Sequence, residues 1–233
     1  MSTVKTDTGS GAQAHHYAHH FENAEHEYST SKQGVWLFLA TEVLMFGGLF
    51  VAYAIFHHLY PEVFKIGARA TDWRFGSANT VVLLTSSLTM ALGIYNIQMR
   101  KNDRAFLMLA ITVLCGFMFM GIKYMEYSHK IHEGFLPGSW YHASVEGAAE
   151  SLGVPVSEIP ANLPLYFSFY FMMTGLHGIH VLIGMSLIVW TMIRLKRGDF
   201  SPDHYTAVEG VGLFWHLVDL VWIYLFPLLY LVS

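Results

Sequence analysis

Five apolar blocks constrain this chain more than any other feature. About 20 apolar residues rising ~1.5 Å each are enough to cross the ~30 Å hydrocarbon layer of a bilayer. The blocks run over 35–57, 77–99, 105–127, 165–193 and 211–232. Backbone in lipid must satisfy its own hydrogen bonds, so blocks of this length are read as helices. The expected fold class is therefore all-α integral membrane, a bundle of five transmembrane helices. Only 13% of residues are charged, which agrees with lipid as the main solvent. The stretch from Arg100 to Arg104 is all that separates the second block from the third, so these helices must be antiparallel neighbours. The longest connection, 128–164, carries Pro137, Pro155, Pro160 and Pro164 and reads as a loop with one amphipathic turn over 143–152.

Two domains follow. Residues 1–33 are polar and His-rich and lack the basic start and short apolar core of a signal peptide, so they read as a tail; 34–233 form the membrane domain. Lys5, Lys32, Arg100, Lys101, Arg104, Arg194, Lys196 and Arg197 lie on the tail and the even-numbered connections. Only Lys65, Arg69, Arg74 and Lys130 lie on the odd-numbered ones. Cationic loops stay cytoplasmic, so the expected arrangement has a cytoplasmic N-terminus and, with an odd number of spans, a C-terminus on the opposite side. A net charge of −4 with scattered basic residues argues against nucleic acid as a partner. The single cysteine, Cys115, excludes a disulfide framework.

Ionisable groups at membrane depth cost ~2.5–3.5 kcal/mol each on insertion scales, so each needs a reason. Glu42 has Phe38, Leu39, Met45, Phe46 and Leu49 on its helical face and no cation on its own helix; it reads as packing glue or as a group for proton or lipid-headgroup chemistry. Lys123 and Glu126, three apart, can pair within one helix, and Lys123 can also snorkel outward. His177 and His180 accompany Gly175, Gly178 and Gly184, a pattern for close helix contact with each imidazole finding an acceptor. His216 and Asp219 share a face and are expected to bond to one another, as a structural pair or a proton relay. Two histidines at this spacing cannot ligate opposite faces of one haem, and a bis-His site would need His216 as well. The tail histidines His15, His16, His19, His20 and His26 have metal-compatible spacing but are expected to hold no physiological metal. No phosphate loop, nucleophile elbow, HExxH or CxxC occurs, so no catalytic residue, cofactor site or metal site is assigned to this chain.

Taken together, Ala40 to Phe50 (ATEVLMFGGLF), Asn79-Thr80, Glu126-Tyr127, Gly175 to His180 (GLHGIH) and Trp215 to Asp219 (WHLVD) resemble subunit III of the haem-copper oxidases, in its bacterial five-helix form. The motifs fall one per helix, in order. The resemblance implies a cofactor-free accessory subunit of a cytochrome c oxidase, which reduces oxygen to water and pumps protons. Haem and copper are then carried by partner subunits. It implies direct contact with subunit I, association with subunit II and a small subunit IV, bound phospholipid in a cleft, support of proton uptake, and room for a respiratory supercomplex. It also gives Glu42 an interior-facing role and His177, His180 and His216 polar contacts within the bundle. Relatives with seven helices have two more at the N-terminus, without which the lipid cleft lacks one wall, and Lys123 stands where many have a neutral residue. The competing readings are subunit III of a quinol oxidase or nitric oxide reductase and, from another class, an autonomous proton-coupled transporter using Glu42, Lys123 and Asp219. No inverted repeat supports the latter.

Overall fold

The computed structural model describes residues 24–198, 200 and 205–231. Its elements are all helical: α1 (Ala24–Leu59), α2 (Pro61–Ala68), α3 (Trp73–Gln98), α4 (Asn102–His132), α5 (Val145–Leu152), α6 (Leu163–Arg197) and α7 (Thr206–Tyr230), with two single 3-10 turns between α4 and α6. Five of these, α1, α3, α4, α6 and α7, are long and apolar enough to cross a membrane. The helices outrun the apolar blocks. Helix α1 begins at Ala24, so the last residues of the expected tail are helical, and α4 continues to His132. His15, His16, His19 and His20 lie outside the described residues.

Local sequence sets the helix ends. Asp72 caps α3 by accepting from the Arg74 amide at 2.8 Å, and Ser144 caps α5 by accepting from the Gly147 amide at 3.0 Å. Helix α6 starts with Pro164 in its first turn, where the missing N–H costs nothing, and stops at Gly198 in the left-handed region after Arg194, Lys196 and Arg197. The α3–α4 reversal takes three residues, and Arg100 makes it possible at φ 57°, a conformation a non-glycine residue adopts at some cost. Helix α2 was not anticipated: eight residues opened by Pro61, it tucks Phe64 and Val63 beneath α6.

Helices α3, α4, α6 and α7 close a four-membered ring in which each packs on the next: α3 on α4, α4 on α6, α6 on α7, and α7 back on α3. Adjacent members run antiparallel, as the α3–α7 contacts Thr80–Trp222 and Ser87–His216 show. Large rings fill the centre. Phe119, Tyr166, Tyr170, Trp215 and Trp222 are all fully buried. Close approach there depends on glycine: a Cβ on Gly184 would lie 2.7 Å from the Trp215 ring, and one on Gly116 would lie 2.8 Å from Met185 Sδ. Gly178 faces open space instead, and Gly175 approaches only the Tyr127 hydroxyl, so Gly184 alone of the GLHGIH neighbourhood makes the expected close contact. It admits a side chain rather than a backbone.

Helix α1 stays outside the ring. Leu39, Phe46 and Tyr53, spaced seven apart, form its buried stripe against α6 and α7, while Trp36, Leu37, Leu44, Val51 and Ile55 are exposed.

Candidate functional site

Three polar centres interrupt the apolar packing. The first lies where α4 ends. Lys123 and Glu126, one turn apart on α4, are paired at 2.9 Å, and both are buried. Lys123 does not snorkel. Its Nζ donates to Glu126 and to the hydroxyls of Tyr170 and Tyr230, both at 3.0 Å, which uses all three of its hydrogens. The Tyr230 hydroxyl in turn lies 2.8 Å from both Glu126 oxygens. Lys130 completes the cluster: its Nζ is 3.8 Å from Glu126 and donates to the Ala70 carbonyl at 2.6 Å, tying the α2–α3 loop to α4. Sequence reasoning missed Lys130, although its position four residues after Glu126 was the signal. Tyr170 and Tyr230 gave none, being single aromatics on other helices. One carboxylate thus serves two buried cations, and phenol hydroxyls and π-faces supply the remaining stabilisation. Lys123 Nζ lies 4.9 Å from the Tyr170 ring centre and 5.5 Å from that of Trp222.

The second centre joins α1 to α6. His180 Nε2 lies 2.8 Å from Glu42 Oε2, across 138 residues of chain. Its Nδ1 is 2.7 Å from the Leu176 carbonyl, which can only accept, so Nδ1 carries hydrogen. A single proton is then shared between Nε2 and the carboxyl: either an imidazolium donates to a carboxylate, or a carboxylic acid donates to a neutral ring. Both states have zero net charge. Phe46 closes one side edge-on at 5.2 Å.

The third centre is the ring interior. His177 is fully buried between Phe119 and Trp222, its ring 5.4 and 5.3 Å from theirs, and neither nitrogen has a hydrogen-bond partner. The expectation that each imidazole finds an acceptor therefore holds for His180 and fails for His177. The expected His216–Asp219 bond is also absent: His216 Nδ1 bonds the Ser87 hydroxyl of α3 at 2.6 Å, and both Asp219 oxygens lack a partner. A helical spacing of three permits the pair, but His216 bonds Ser87 on α3, and Asp219 is buried beside Ser86 and Ser87 of that same helix. Asn79, which motif reading used only as a family marker, is the third buried side chain without a partner. Among the described residues no three His, Cys, Asp or Glu side chains gather as a metal-binding group.

None of these centres contains a nucleophile with an activating base, or an open metal position. Comparison with known proteins decides what they belong to. Residues 15–145 and 159–233 match the family model of cytochrome c oxidase subunit III. The chain belongs to that family. It is subunit III of a haem-copper oxidase, a multi-pass membrane subunit of a bacterial respiratory oxidase. In this family haem and copper reside in the other subunits of the complex. Similar curated proteins include the probable quinol oxidase subunit 3 of Staphylococcus saprophyticus, 27% identical over 94% of this chain and 96% of the relative. The probable quinol oxidase subunit 3 of Staphylococcus haemolyticus is 26% identical over 91% and 94%. The cytochrome bo(3) ubiquinol oxidase subunit 3 of Pseudomonas aeruginosa is 26% identical over 95% and 94%.

Proposed function

We propose that this subunit braces the catalytic subunit of a proton-pumping terminal oxidase that takes electrons from a quinol and reduces oxygen to water. The relatives support the donor: those named above are quinol oxidase subunits, and each matches this chain over more than nine-tenths of its length. A cytochrome c donor, the first expectation from the motifs, is the competing outcome. The deciding experiment is affinity purification of the intact oxidase through this chain. Turnover with a reduced quinol and a subunit II without copper support the reading; a CuA-bearing subunit II with turnover on reduced cytochrome c overturns it.

The bracing role draws on the exposed apolar flank of α1 and the satisfied polar clusters within the bundle. Phospholipid lies against that flank in this reading, and Glu42, paired with His180, holds α1 in place beside it. Lys123, Glu126, His216 and Asp219 serve the bundle's internal structure, through which the subunit supports proton uptake by its partner. The polar tail and the α3–α4 connection face the cytoplasm. Asn102→Cys in intact cells is the check on this topology: protection from a membrane-impermeant thiol reagent agrees with it, and labelling from outside contradicts it.

A further inference from the structure

Asn79, His177 and Asp219 come from α3, α6 and α7, three of the four ring helices, and are 0%, 0% and 3% exposed. None of their side-chain nitrogens or oxygens has a partner of good hydrogen-bond geometry among the described residues. Buried polar groups are almost always paired, because leaving one unpaired costs ~1–3 kcal/mol. Three exceptions on one bundle interior call for a common cause.

Trp222 marks where they lie. The His177 ring lies tilted 5.3 Å from it, and the Trp222 Nε1 donates to Thr80, the residue after Asn79, at 3.1 Å. Asp219 is one turn before it on α7, and Phe119 packs edge-on against both Trp222 and His177. The neighbouring hydroxyls already have other partners, although two of them, Ser86 and Ser87, also lie beside Asp219. Ser86 donates to the Leu83 carbonyl at 2.7 Å and accepts from Trp215 at 3.1 Å, Ser87 bonds His216, and Thr80 donates to the Gly76 carbonyl at 2.9 Å. Lys123 has spent its three hydrogens on Glu126, Tyr170 and Tyr230.

Among the described residues Asn79 and His177 are left without a partner, while the hydroxyls beside Asp219 are those of Ser86 and Ser87. Asn79 and His177 each offer a donor and an acceptor, and the Asp219 carboxyl offers acceptors and, when protonated, one donor. One carboxylate among neutral groups suits no metal ion. It suits a small neutral molecule that both donates and accepts and makes two to four hydrogen bonds, and water meets that description. We infer that Asn79, His177 and Asp219 form an internal hydration site, holding bound water inside the ring of α3, α4, α6 and α7. The site does not depend on which electron donor the oxidase uses.

Radiolytic hydroxyl-radical labelling of the intact oxidase in lipid nanodiscs tests this, because bound water split in place oxidises the aromatic ring beside it. Phe119 is the reporter; Phe64 and Phe167, equally buried but away from the trio, are the controls. Phe119 should be oxidised faster than either control, and Asn79→Leu or Asp219→Leu should bring its rate down toward theirs. Equal rates in the unmodified complex overturn the inference, whether or not the variants assemble. A fast Phe119 rate unchanged in both variants overturns it as well.

Discussion

Helices α1 and α7 are both apolar enough to cross a membrane, yet half of α7's most apolar window is buried inside the chain, against 11% of α1's. The difference lies in what each helix carries on its faces. Helix α7 presents Gly212, Trp215, Asp219, Trp222 and Tyr230 to three neighbours and is locked on several sides. Helix α1 offers a stripe seven residues apart together with the Glu42 carboxyl bonded to His180 and the Tyr53 phenol donating to the Leu228 carbonyl. Hydropathy decides that a helix spans; small and polar side chains decide how firmly it is held. The ring is a fixed body, and α1 is an attached arm whose free face is available to lipid or another subunit.

The largest expected effect falls on the ring. Glu126→Leu leaves Lys123 and Lys130 buried without their shared carboxylate, and breaking a buried ion pair from one side costs ~3–5 kcal/mol. The variant subunit should be lost from the purified complex, seen by mass spectrometry of its subunits; normal retention with an unchanged melting temperature would show that the cluster contributes little. Gly184→Val comes next. Its new methyl groups meet the Trp215 ring, and overpacking of this kind costs ~1–3 kcal/mol. A drop in melting temperature without loss of α1-specific contacts is expected, checked by thermal unfolding together with crosslinking of α1 to α6.

Disrupting the arm should be milder and local. Glu42→Leu strands His180 Nε2 at a partly exposed site, at a cost of about 1 kcal/mol, the low end for an unpaired group. Crosslinking between α1 and α6 should weaken while the ring keeps its melting temperature; a global fall equal to that of Glu126→Leu would erase the distinction between arm and body. Smallest of all is Arg100→Gly, which relieves the left-handed backbone at the α3–α4 reversal. It should raise the melting temperature slightly, by the equivalent of no more than ~1 kcal/mol, and a fall would mean the side chain matters more than the strain.

What the sequence showed and what it hid follow the same divide. Spans were legible because hydropathy over ~20 residues needs no partner to be read. Lys123–Glu126 was legible because its geometry is local to one helix. Glu42–His180 was not, since the two residues are 138 apart and only the docking of α1 on α6 joins them. His216–Asp219 was misread for the complementary reason: a shared helical face permits a bond, but Ser87 on a neighbouring helix captured the imidazole. The outward reach that was also open to Lys123 is not taken, because two phenols on other helices, invisible from its own helix, wait inside.

The account rests on polar groups that hold the subunit together rather than pass protons to the chemistry, and Glu42→Gln tests that most directly. The amide keeps the volume and a donor for His180 Nε2 but cannot release a proton. Initial oxygen consumption and proton uptake of the fully assembled Glu42→Gln oxidase, measured beside the unmodified enzyme, should be unchanged. Immediate and complete loss of oxygen reduction in a complex that retains every subunit would contradict the account and make this carboxyl an obligatory proton carrier.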